Sequence, residues 1–163
     1  MELFEAIRRR RSIRSFQNKQ VEDDLIEKVL EAGRWAPSGM NTQPWKFVVT
    51  EDEKIQARLS EISSKDLIEK APVTIAILRD RDAGYHEVKD IQGIGACAQN
   101  MLLAAHGLGL GACWVGTTND PEMEKVLNAS ERQELMLLIA LGYPKEETLT
   151  YSRKKLDHLT EYL

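Results

Sequence analysis

Apolar positions mark out the elements of the chain. Leu3, Phe4 and Ile7 share one side of a short helix predicted over residues 2–11. Val21, Leu25 and Val29, flanked by Ile26 and Leu30, make a wide stripe at helical spacing over residues 21–35. Glu22, Asp23 and Asp24 fall in its first turn, where the helix dipole favours acids, and Gly33 with Pro37 end it. Residues 45–50 alternate as a strand does, and residues 52–70 are charged and helical. Pro72 opens VTIAIL at 73–78, a continuous apolar run of the kind buried on both faces.

Residues 80–89 are polar and read as a loop, with Asp90 as the N-cap of the next helix. In that helix Ile91, Ile94, Ala98, Met101, Leu102, Ala105 and Leu108 fall on one face, and the cluster Gly107, Gly109, Gly111 stops it. A strand follows at 112–116. Asp120 then caps a short helix over 121–128, with Pro121 at its first position. Ser130 with Gln133 has the spacing of a second capping box. LMLLIALG at 135–142 is a third apolar strand, stopped by Gly142 and Pro144. The tail from 145 has no core pattern. These elements describe one α+β domain over residues 1–163, an α/β layered sandwich with helices covering a small sheet.

Composition narrows the function classes. The chain has 163 residues, close to the ~150 of a typical domain. Its net charge of −4 argues against a general nucleic-acid binder. That mean hides an asymmetry. In residues 1–16, Arg8, Arg9, Arg10, Arg11 and Arg14 against Glu2 and Glu5 give +3, which leaves −7 elsewhere. A second basic cluster sits at Arg153, Lys154 and Lys155. Two separated basic clusters on an acidic chain point to one local anion site, although basic residues at a helix end also simply complement its dipole. The two cysteines, Cys97 and Cys113, are too few for a disulfide framework, and with no signal-peptide pattern at the start they indicate a reduced, cytoplasmic setting. Residues 91–119 lack Asp, Glu, Lys and Arg, but Gln92, Gln99, Asn100, His106 and repeated glycines break the run, so a buried helix and strand fit better than a membrane span.

Few local motifs carry chemistry. Gly93, Gly95 and Ala98 match G-x-G-x-x-A, yet no strand precedes them and both glycines lie inside a helical period, which makes close helix packing the better reading. No P-loop or G-x-S-x-G occurs, and Cys97, Cys113, His86, His106 and His158 have no metal-ligand spacing. Residues 36–45 are different. They place Ser38, Asn41, Thr42 and Gln43 on a Pro-bounded, Gly-containing loop between a helix and a strand, which is where ligand contacts concentrate. The same residue types also make ordinary turns.

Together these segments resemble the FMN-dependent nitroreductase family. Arg10-Arg11-Ser12-Ile13-Arg14-Ser15-Phe16 resembles its R-R-S-x-R-x-F motif, and Ala36-Pro37-Ser38 through Asn41, Gln43, Pro44 and Trp45 resembles its A-P-S-x-x-N-x-Q-P-W motif. Asp90 to Gly116 resembles its central helix and following strand, and Leu141 to Pro144 with Arg153, Lys154 and Lys155 resembles its C-terminal end. The resemblance implies a small mixed sheet in an intertwined homodimer, with FMN bound non-covalently at the interface and residues 145–163 packing on the partner as an arm. It implies that Arg10, Ser12, Arg153 and Lys155 hold the phosphate and ribityl end, with Arg11 also among the cofactor-binding residues. It also implies that Arg14 lies near the N1/O2 edge of the ring, that Pro37, Ser38, Gly39, Asn41 and Gln43 line the ring's polar edge, that the backbone at Gly116 lies near N5, and that Trp114 and Val115 are cofactor-binding too. The chemistry implied is hydride transfer from NADH or NADPH to a nitroarene, a quinone or a similar acceptor, with no side-chain general base.

The chain is short for the family. Longer members carry extra helices in the 60–70 and 80–89 regions, and Lys65 is the candidate here for a ring-contacting lysine. A flavin carrier or sensor without turnover, and a flavin-fragmenting or dehalogenating enzyme, are the alternatives on the same fold.

Overall fold

The computed structural model describes residues 2–117, 120–146 and 152–163. Its strands are β1 (Trp45–Thr50), β2 (Val73–Asp80), β3 (Gly111–Val115) and β4 (Gln133–Gly142). Its helices are α1 (Leu3–Arg9), α2 (Asp23–Arg34), α3 (Glu53–Ser63), α4 (Glu87–Gly107) and α5 (Pro121–Val126). The sheet order is β1-β2-β4-β3, and each neighbouring pair is antiparallel. The sheet is thus antiparallel rather than mixed. A parallel pairing enters only as an isolated bridge between Ser12 and Ala112.

The two uninterrupted apolar runs become the central strands, because helices cover both faces. Val73, Ile75, Ile77, Leu137, Ile139 and Leu141 face α2 and α4, where Val29, Ile94, Cys97 and Met101 complete one core. Ala76, Leu78, Leu135, Leu138 and Ala140 face the other way, onto Leu59, Ile68 and Met123. A register shift lets Ile77 pair with Leu137 and Leu78 with Leu135, so Met136 is the bulged residue.

Several element boundaries differ from the sequence reading. Helix α4 starts four residues early, with His86 in the N-cap position, and Asp90 is no cap. Its carboxylate is 1% exposed, faces the Arg79 guanidinium at 3.3 Å and accepts from the Tyr85 amide at 3.4 Å. Arg79 and Glu134 pair on the same side at 2.9 Å. This buried charge network shortens the 80–89 loop by tying β2, β4 and α4 together. Ile91 is 41% exposed, so the buried face of α4 runs from Asp90 to Gly93 and Ile94 and leaves Ile91 out. Ser130 donates its amide to the Gln133 side chain at 3.1 Å, but the Gln133 amide donates back to the Ser130 carbonyl at 2.9 Å and not to its hydroxyl, so the pair closes the turn into β4 and is not a capping box. Helix α3 ends at Ser63, with Ser64 left-handed at its C-cap, where residues 52–70 had read as continuous helix.

Candidate functional site

Residues 10–17 lie along the free edge of β3 and the start of the tail. Ile13 donates its amide to Ala112 at 3.0 Å, Gln17 donates to Tyr143 at 2.9 Å, and Lys145 donates to Ser15 at 3.0 Å. Gly111 makes room for Ile13: a Cβ at Gly111 would lie 2.8 Å from the Ile13 side chain. Stitching from both sides fixes the direction in which Arg10, Ser12 and Arg14 project.

Arg10 is half-buried and its Nε has no hydrogen-bond partner. Burial lowers its pKa, and the charge of Arg153 and then of Arg11 lowers it further. The two basic clusters of the sequence therefore meet. Ser12 and Arg14 adjoin Cys113, whose thiol burial pushes up. Arg11 turns back instead, donating to the carbonyls of Arg8 at 2.6 Å and Arg10 at 2.8 Å. Lys155 is exposed at the head of a short 3-10 turn, Leu156–His158. Among the described residues, Arg10, Arg14, Arg153 and Lys155 form no ion pair with a carboxylate. A buried donor without a partner costs about 1–3 kcal/mol, and a nearby like charge adds to it, so this cluster fits an incoming anion.

The polar loop is the second half of the candidate site. Met40, Asn41 and Gln43 all have positive φ, at 54°, 57° and 50°. Such backbone costs an L residue about 1–2 kcal/mol, least for asparagine, and strain of this kind collects at ligand sites. The Ser38 hydroxyl accepts the Gln43 amide at 2.9 Å and sets the turn. Asn41 and Gln43 are exposed, while Thr42 Oγ1 is buried without a partner. The loop docks on α4 at Gly93, where a Cβ would lie at ordinary contact distance, 3.4 Å from the Pro37 carbonyl and 3.6 Å from Ser38. Gly39 packs against the Tyr85 ring, which the sequence did not single out. Close packing requires neither glycine of the G-x-G-x-x-A stretch, since a Cβ at Gly93 would make ordinary contacts and Gly95 has nothing within 4 Å.

At the end of β3, Trp114 is 40% exposed and Gly116 borders open space, whereas the Val115 side chain is buried in the core. Only the backbone of Val115 is free to meet a ligand. Arg14 also lines a groove of about 640 Å³ with Lys70, Lys145 and Glu69. Lys70 is a middle-region lysine that lines this groove along with Arg14, and it pairs with Asp66 at 3.2 Å. Its position was hidden because α3 stops short and residues 64–72 turn back toward the sheet. The described residues contain no group of His, Cys, Asp and Glu able to hold a metal.

The two halves stand at opposite ends of α4. The loop packs at Gly93, and the arginines crowd His106, on which their charges act. Thirteen residues of helix separate those points, about 20 Å at 1.5 Å per residue.

Comparison with known proteins places this arrangement. The model of the Nitroreductase family matches residues 7–70 and 63–143. A "Putative NADH dehydrogenase/NAD(P)H nitroreductase" of Methanothermobacter thermautotrophicus is 33% identical over 151 residues, covering 90% of this chain and 79% of that relative. A crystal structure of a "putative nitroreductase in complex with fmn" from Desulfovibrio desulfuricans is 38% identical, with a TM-score of 0.91 and coverage of 100% of this chain and 97% of that one. An iodotyrosine deiodinase of Thermotoga neapolitana is 24% identical over 180 residues, 94% of each chain. Matched along most of its length in sequence and in fold, the chain belongs to the nitroreductase family.

Proposed function

We propose that the protein is an FMN-dependent oxidoreductase that uses NADH or NADPH to reduce nitroaromatic, quinone or similar acceptors. The observation that carries this reading is the meeting of Arg10 and Arg153 around a buried, unpartnered guanidinium nitrogen. A phosphate monoester bears close to two negative charges and three acceptor oxygens, which is what that cluster lacks. The residues present fit the group. Arg10, Ser12 and Arg153 hold its phosphate and ribityl end, with Arg11 and Lys155 at the rim. Arg14 would offer positive charge to the N1/O2 edge, where it would stabilise the reduced ring as an oxyanion hole stabilises its oxyanion. Pro37, Ser38, Gly39, Asn41 and Gln43 would meet the polar edge of the ring, and the backbone at Gly116, with Trp114 and Val115 before it, would serve the N5 side. FMN, when bound, would supply hydride transfer between the nicotinamide and the acceptor. The chain's own task is to position, to exclude water and to supply charge.

The reading includes a homodimer. The distance between the two halves along α4 supports a site completed by a second copy. So do the exposed apolar side chains of Leu3, Phe4 and Ile7 on α1, of Val88 and Ile91 on α4, and of Leu156, Leu159 and Tyr162 in the tail. Residues 145–163 act as the arm that wraps the partner; residues 147–151 of that arm lie outside the described residues. No described helix is long and apolar enough to cross a membrane, and the two free, buried cysteines support a reducing, cytoplasmic setting.

Anaerobic titration tests the reading. The purified protein is expected to be yellow, to release FMN on denaturation, and to bleach with NADH or NADPH and regain colour with a quinone. A colourless protein that takes up no FMN overturns it. Bleaching without steady consumption of NAD(P)H identifies a carrier or sensor. The similarity to iodotyrosine deiodinase supports a second reading, reductive dehalogenation, which halide release from a halophenol under reducing conditions distinguishes.

A further inference from the structure

We propose that His106 belongs to the phosphate end of this site and that FMN binding there is coupled to protonation of its imidazole. The inference rests on the flavin reading above. Among the described residues three buried side-chain polar atoms lack a hydrogen-bond partner, and two of them, Arg10 Nε and His106 Nε2, lie in the same basic cluster. Native structures leave few such atoms unpaired, so two together call for a missing partner. Arg10 Nε only donates, and a partner serving both atoms must therefore accept. A phosphate oxygen does so when His106 carries a proton on Nε2.

The surroundings set the direction of the coupling. Arg9, Arg10 and Arg11 face His106 from α1 and the segment after it, and Glu5 is the acid on that side. Glu5 is engaged by Arg9 at 2.7 Å. From β3 Cys113 adjoins Arg10, and from the tail Arg153 does. Burial first, and then Arg10, Arg9 and Arg11, lower the His106 pKa from its ordinary 6.5. Without ligand the ring is therefore neutral through the physiological range. A dianion placed among these cations offsets their repulsion and raises the imidazole pKa. Linkage then requires binding to take up a proton between the two values, so His106 tightens FMN at mildly acid pH and contributes less as pH rises. The phosphate's own second ionisation, near pH 6, works the other way, so the informative quantity is the ratio of wild type to variant at each pH.

The test is quenching of FMN fluorescence by flavin-free full-length protein between pH 5.5 and 8.5 at fixed ionic strength. Wild type is compared with His106→Gln, which is neutral and still donates, and riboflavin serves as the phosphate-free ligand. The proposal expects His106→Gln to weaken FMN about tenfold at pH 5.5–6, to converge on wild type by pH 8.5, and to leave riboflavin unchanged. A wild-type-to-variant ratio independent of pH, or equal losses for FMN and riboflavin, overturns it while leaving the flavin reading intact. Absence of FMN binding by wild type overturns both. Should the variant not fold, NMR titration of the His106 ring in wild type decides the matter: its pKa is expected to rise when FMN is added, and no rise overturns the proposal.

Discussion

Arg153, near the end of the chain, acts on Arg10, near its beginning: after burial, the charge of Arg153 is the largest influence lowering the Arg10 pKa. Two guanidinium groups held together without a carboxylate are a cost in the free protein and an asset once an anion arrives. Removing Arg153 or Arg10 by alanine substitution is therefore expected to weaken FMN binding about 10- to 100-fold, the range of a lost charge-assisted hydrogen bond. The thermal stability of flavin-free protein should hold steady or rise in Arg153→Ala, because the repulsion is relieved. Arg8→Ala removes an exposed charge at the end of α1 and should change the FMN dissociation constant less than threefold. Equal effects at positions 8, 10 and 153, read by fluorescence titration, would show that the basic cluster had been assigned wrongly.

Asp90 is the buried anchor of the short loop before α4. With 1% exposure and Arg79 opposite it, its removal leaves a guanidinium in the interior with one fewer partner. Asp90→Ala is expected to cost about 3 kcal/mol. In a chain of this length that lowers the melting temperature by roughly 6–12 °C. Asp90→Asn keeps an acceptor for the Tyr85 amide and leaves Glu134 on Arg79, so its loss should be smaller. Thermal unfolding followed by circular dichroism checks the order wild type, Asp90→Asn, Asp90→Ala.

The helices and the two central strands were legible because one physical cause, the burial of apolar side chains, writes both the pattern and the structure. Val73–Leu78 and residues 135–142 read as strands and are strands. The strand directions were not legible, since an apolar run says that both faces are covered and nothing about the neighbour's direction. Asp90 misled for a related reason: an acid before an apolar helix looks like a cap, and only the tertiary approach of Arg79 turns it into a buried ion-pair partner. In the candidate site, the loop residues 37–43 stood out by their dense polar side chains, and the structure adds the left-handed backbone at Met40, Asn41 and Gln43. Lys70 escaped notice, and His106 was weighed only as a metal ligand, because neither belongs to a local motif. Their relevance comes from what long-range packing sets beside them.

Two glycines with opposite surroundings give opposite expectations. A Cβ at Gly142 would lie 2.6 Å from the Pro72 ring, which cannot swing away, and 3.1 Å from Phe16. Gly142→Ala is expected to destabilise by about 1–3 kcal/mol through overpacking. Gly95 sits in the interior of α4 with nothing within 4 Å, so Gly95→Ala should gain about 0.5–1 kcal/mol from reduced backbone entropy in the unfolded chain. Urea unfolding measures both. A loss at Gly95 instead would place a second copy of the chain directly against that face of α4.

The two cysteines should respond differently to pH and to ligand. Burial pushes the Cys97 thiol up from 9.0 to about 12. At pH 8 its native thiolate fraction is then roughly one in ten thousand, too little for alkylation by iodoacetamide on the hour scale. Burial raises Cys113 as well, but Arg14, Ser12 and Arg10 pull it back, so Cys113 should be the first to react as pH is raised. A thiol whose folded pKa lies above its unfolded value gives stability that is complete below about pH 9 and is lost as pH climbs toward 12. The native protein should therefore lose stability across that window, and Cys97→Ala should lose less of it than wild type does. If Arg10 and Arg14 are the cations that meet FMN, its binding offsets the charges that favour the Cys113 thiolate. Mass spectrometry of native protein alkylated at pH 9 should then show Cys113 labelled more slowly with FMN present and Cys97 unlabelled in either case. Equal labelling rates with and without FMN would separate the flavin from the arginines at the edge of β3.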